Sequence, residues 1–222
     1  MDIFFVYILM LLIPIIASIN INSTYKKYKK IKTQSGKTGF DVAREILDKN
    51  GLESIYIVET KGNLTDCYDA KRKTIRLSSD IYHGDTIAAI SVAAHECGHA
   101  IQDKESYYWM NIRKTIFPVV SIGTNIAYIV LVLGCFLQSL DLIYLAIALT
   151  GLGLLFQIVT LPVETDASKR AKTLLYEYGI TDRDEDNGVD KMLKSAAMTY
   201  VAGILSSALE ILYLLMRFND RD

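Results

Sequence analysis

Residues 116–137, IFPVVSIGTNIAYIVLVLGCFL, and residues 142–161, LIYLAIALTGLGLLFQIVTL, hold no charged side chain. Each matches the roughly 20 apolar residues that a helix needs to cross a bilayer. A soluble helix of that length would expose a charged face, so both runs read as transmembrane helices. Two further runs join them: Ile3 to Ile19, interrupted by Pro14, and Ala196 to Met216, which contains Glu210. The pattern predicts a mainly α integral membrane protein. It has about four transmembrane helices and a small α+β region between the first and second.

Composition agrees. The chain has 222 residues, 51% of them hydrophobic and 22% charged. Its mean hydropathy is +0.23. These values exclude a disordered chain and an ordinary soluble domain. Lys and Arg number 24 against 25 Asp and Glu, so there is no net basic field and no nucleic-acid partner is expected. Cys67, Cys97 and Cys135 show no metal spacing and cannot all pair, which argues against a disulfide framework.

The basic residues set an orientation. Lys26, Lys27, Lys29, Lys30 and Lys32 follow the first run rather than precede it, the reverse of a signal peptide. The positive-inside rule then puts them in the cytoplasm. Lys169, Arg170, Lys172, Arg183, Lys191 and Lys194 fall on the same side. The turn Gln138–Asp141 and the tail with Arg217 and Arg221 fall outside. The expected division is an N-terminal anchor (1–20), a cytoplasmic region (21–115) and a transmembrane hairpin (116–161). A second cytoplasmic segment (162–195) and a fourth span with a short tail (196–222) complete it. The bilayer is the first partner, and the protein is multi-pass.

Within 21–115, residues 40–49 read as a helix with Val42, Ile46 and Leu47 on one face. Thr38 or Asp41 would cap it and Asn50-Gly51 would end it. Residues 54–59 (SIYIVE) read as a strand, and 67–68 with 74–77 as a hairpin. A long helix runs from a cap at Asp85 or Thr86 to about Asp103. The acidic run 182–187 (DRDEDN) reads as a solvated loop.

The long helix carries His95-Glu96-Cys97-Gly98-His99. Four helical steps of 100° return to within about 40°, so both imidazoles lie on one face and can reach one metal ion. Glu96 stands where its carboxylate can act on an adjacent water. This is the HExxH zinc pattern, with the glutamate as general base. The chain has three histidines, and two stand in this frame. In an apolar helix they would be costly without partners. One zinc ion per chain is expected, and it needs a third protein ligand. Glu164 is the best candidate, because it follows the third span on the same side as the histidines. Asp166 is the alternative, as ligand or as support for a ligating histidine. His83, in a Tyr-His-Gly turn, is a weaker one.

The stretch 93–102, AAHECGHAIQ, resembles the signature of the YugP-like neutral zinc metallopeptidases, which are bacterial membrane proteins. Residues 161–168 (LPVETDAS) and 196–202 (AAMTYVA) resemble two further blocks of that family. The resemblance spans nearly the whole chain. It implies a membrane-embedded, gluzincin-like zinc metalloendopeptidase of the bacterial plasma membrane, acting on peptide or membrane-protein substrates. The arrangement is also distantly similar to the HtpX-type peptidases, which pair HExxH with a downstream Glu-x-x-x-Asp. Carried over, Glu164 is the metal-binding glutamate, and Ser168 stands where that pattern has aspartate.

The expected reaction is peptide hydrolysis with Glu96 handling the proton. Tyr200 and His83 are candidate donors to the oxyanion. The competing expectation is a non-proteolytic scaffold or adaptor in membrane-protein quality control. Neither the substrate nor the oligomeric state is legible from the sequence.

Overall fold

In the computed structural model, which describes residues 3–63 and 65–218, each apolar run forms part of a longer helix. Arg221 of the predicted outer tail lies outside the described residues. The elements in chain order are α1 (Ile3–Tyr28), α2 (Gly39–Lys49), β1 (Tyr56–Thr60), β2 (Cys67–Asp69), β3 (Thr74–Ser78) and α3 (Ser79–Tyr82). They continue with α4 (Ile87–Lys104), α5 (Tyr108–Leu137), α6 (Leu140–Glu177) and α7 (Arg183–Phe218). Helices α1, α5, α6 and α7 are long and apolar enough to cross a membrane. The protein is thus a mainly α membrane protein with a small sheet region.

The chain divides into two compact units. One comprises residues 1–19, 108–162 and 198–222; the other comprises 20–107 and 163–197. In the first, Phe117, Val119, Ile122, Tyr128, Phe136 and Leu155 are exposed. That is the outward apolar surface a bilayer requires. Small residues let α5 and α6 approach closely, as is common between membrane helices. A Cβ on Gly134 would stand 3.0 Å from Ile143 Cγ1, and one on Gly123 would stand 2.9 Å from Leu152 Cδ1. Gln157 Nε2 donates to Ser207 Oγ at 3.0 Å, tying α6 to α7.

The second unit is built around α4. Val42, Ala43, Ile46 and Leu47 of α2 are fully buried, as are Ile75 and Leu77 of β3 and Ile90, Ala93, Ala94 and Cys97 of α4. They form one core with Ala171, Leu175, Ile180 and Val189. Thr38 caps α2 through a reciprocal box with Asp41, and Asn50 closes it. Thr86 caps α4, its hydroxyl accepting from Ala89 N–H at 3.3 Å.

The sheet has the order β1-β3-β2. The hairpin pairs antiparallel, Cys67 opposite Arg76 and Asp69 opposite Thr74. Strand β1 joins the other edge in parallel, Tyr56 opposite Thr74. It starts two residues later than the pattern of 54–59 suggests. The Arg44 guanidinium donates to the carbonyls of Leu52 and Ile55, which holds 52–55 in a turn.

The acidic run 182–187 is not a loop. Residues 183–187 begin α7 and Asp182 directly precedes it, in a capping box with Glu185. Asp182 Oδ1 accepts from Glu185 N–H at 2.9 Å, and Glu185 Oε2 accepts from Asp182 N–H at 3.2 Å. Glu185 also accepts from Gln34 N–H and is buried.

Candidate metal centre

All the groups that meet at this centre belong to the second unit. Helix α4 presents His95 and His99 one turn apart, with ring centroids 4.7 Å apart and planes at 80°. Gly98, between them, lies against the Ala167 backbone, so α4 and α6 touch here without a side chain in between. That contact places Glu164, three residues before Ala167, over the two rings. Glu164 Oε2 is 3.3 Å from His95 Nε2 and 3.4 Å from His99 Nε2. One ligand atom from each of the three lies within 4.8 Å of the others.

These separations suit zinc. Four ligands at about 2.0–2.1 Å in a tetrahedron stand about 3.3 Å apart. Two of the edges measured here have that length. The donor set of two imidazoles and one carboxylate, with the carboxylate 3% exposed, is chemically suited as well.

The far nitrogen of each ring is engaged. His95 Nδ1 lies 3.2 Å from Ser168 Oγ. His99 Nδ1 lies 3.0 Å from Gln102 Oε1. Each contact directs Nε2 of its ring toward Glu164, the arrangement that orients metal-binding histidines. Ser168 therefore supports His95 from α6.

Electrostatics follow from burial and charge. Burial pushes the Glu96 carboxyl above its ordinary range; the nearby imidazoles oppose this, and Glu164 and Asp66 add to it. Burial acts the same way on Glu164, but hydrogen bonds from His95 and His99 outweigh it and hold that carboxyl well below the usual range. The site thus contains one carboxylate kept ionised by two imidazoles and a second, 7% exposed, whose proton affinity is raised.

Not every predicted residue joins the cluster. Asp166 accepts from Gln102 Nε2 at 2.9 Å and pairs with Arg170, so it supports the site from behind. His83 is the C-terminal cap of α3, and its Nε2 lies 3.3 Å from Glu59 Oε2 on an exposed surface. Tyr200 lies in α7, within the first unit. Gln102 was not singled out from the sequence. The signal was there: a polar residue three positions after a ligand-type histidine, on the same face of a buried helix.

The comparisons with known proteins agree with this geometry in class. A family model described as "Putative neutral zinc metallopeptidase" matches residues 3–219, and the chain belongs to that family. Among curated proteins it is similar to the "Putative membrane protease YugP" of Bacillus subtilis (strain 168). The two are 45% identical over 207 residues, 93% of this chain and 92% of the relative. No solved structure matches.

Proposed function

We propose that this protein is a membrane-bound zinc metallopeptidase whose metal is held by His95, His99 and Glu164. The observation that carries the reading is the pair of 3.3–3.4 Å separations between Glu164 Oε2 and the two imidazole Nε2 atoms. A zinc ion held there would supply Lewis acidity and would acidify a water.

The chain's own residues do the rest. Glu96 takes a proton from the attacking water and returns it to the leaving amine. Burial raises its proton affinity. Ser168 and Gln102 keep the rings turned toward Glu164. The division into membrane segments 1–20, 116–161 and 196–222 and cytoplasmic segments 21–115 and 162–195 belongs to this reading. It places the site on the cytoplasmic side, on the strength of Lys26 to Lys32 and Lys169 to Lys194. Substrates are peptides or membrane-proximal protein segments.

The test is cleavage of casein or a model peptide by the detergent-purified protein and by Glu96→Gln. Activity present in the wild type and absent from the variant supports a peptidase. Zinc binding without cleavage would favour the scaffold reading.

A further inference from the structure

Gln102 is fully buried, on a helix whose neighbours are apolar. A buried amide without partners is costly. Here each polar end is used. Oε1 lies 3.0 Å from His99 Nδ1. Nε2 donates to the Val163 carbonyl at 2.8 Å and to Asp166 Oδ2 at 2.9 Å.

This set of partners admits one orientation of the amide. Turned over, the oxygen would face the Val163 carbonyl and the Asp166 carboxylate, two acceptors at hydrogen-bond distance. With Nε2 committed to those two, Oε1 faces His99 and can only accept. His99 Nδ1 must then carry a proton, which in the neutral ring leaves the lone pair on Nε2, the nitrogen aimed at Glu164.

The same amide spans two elements. Val163 directly precedes Glu164, and Asp166 follows it by two residues. One side chain therefore fixes the proton position of a ligand on α4 and grips the turn of α6 that carries the third ligand. Asp166 is held in turn by Arg170, whose Nε donates to the same Oδ2 at 2.6 Å and whose Nη1 pairs with Glu105 at 2.7 Å.

We propose that Gln102 is a positioning residue that sets the Nδ1–H form of His99 and the spacing between His99 and Glu164. The proposal rests on the metal-centre reading above. The experiment measures zinc affinity by chelator competition for the wild type and Gln102→Met. It adds nitrogen NMR of both, zinc-loaded and labelled with 15N at histidine. The expected result is Nε2 as the metal-bound nitrogen of wild-type His99, with Nδ1 protonated. Zinc affinity should fall roughly 10- to 100-fold in Gln102→Met, the range typical of lost support for a ligand. Equal affinity in a folded Gln102→Met would overturn the proposal while leaving the metal centre intact. So would Nδ1 bound to the metal in the wild type, a readout that needs no folded variant. A folded wild type that takes up no zinc would overturn both readings.

Discussion

A Cβ on Gly98 would stand 2.7 Å from the carbonyl oxygen of Ala167 and 3.1 Å from its Cα. The obstacle is backbone, which cannot turn aside as a side chain can. The two histidines and Glu164 meet because a residue without a side chain lets α4 and α6 touch between them.

Gly98→Ala should therefore separate the helices and disturb the centre. Overpacking of this kind costs about 1–3 kcal/mol. The expected outcome is a lower thermal midpoint together with weakened zinc binding. Thermal melts with and without zinc check it. A variant that binds zinc as the wild type does would show that the close approach is not needed.

Glu96→Gln separates chemistry from binding. Glu96 is not one of the three grouped ligand-type residues, so zinc content should stay unchanged. Hydrolysis should fall by about 10²–10⁴, the usual contribution of a positioned acid–base group. Rates per zinc-loaded protein provide the comparison.

Acid stability should depend on α2. Hydrogen bonds from the Thr38 hydroxyl and backbone hold Asp41 below its ordinary value, and Lys37 and Lys49 do the same for Glu45. A carboxyl with a lowered folded value stabilises the protein above its unfolded value. That contribution is lost as pH falls through the folded value, on the acid side of the ordinary carboxylate range. Asp41→Asn and Glu45→Gln should each flatten the acid limb of a stability–pH curve and leave its shape above neutrality unchanged.

The capping box at the start of α7 is a local stability element. Asp182 Oδ1 accepts from the backbone of both Asp184 and Glu185 at 2.9 Å. Asp182→Ala should cost about 0.5–2 kcal/mol, read from a denaturant midpoint. Asp182→Ser should restore most of it.

Much of the architecture could be read from the residues because single strong signals set it. The runs at 116–137 and 142–161 lack charge over a bilayer's length, and nothing competes with that reading. The HExxH frame fixes two imidazoles on one helical face by geometry alone. Element ends were harder. The apolar run stops at Leu161, yet α6 continues to Glu177 because its polar half is packed against α4 and its neighbours. The run DRDEDN looked like a loop because its charges dominate, although Asp182 and Glu185 already stand in capping-box spacing. The parallel pairing of β1 with β3 comes from tertiary packing and has no local signature. Gln102 was hidden for a similar reason: its meaning depends on Val163 and Asp166, some sixty residues away in the chain.

In the proposed centre His95, His99 and Glu164 hold one zinc ion. Elemental analysis of the detergent-purified wild type, His99→Ala and Glu164→Gln tests it most directly. Zinc near one per chain is expected in the wild type, with its loss in His99→Ala and its weakening in Glu164→Gln. A well-folded wild type that holds no zinc, even after zinc is supplied, would contradict it.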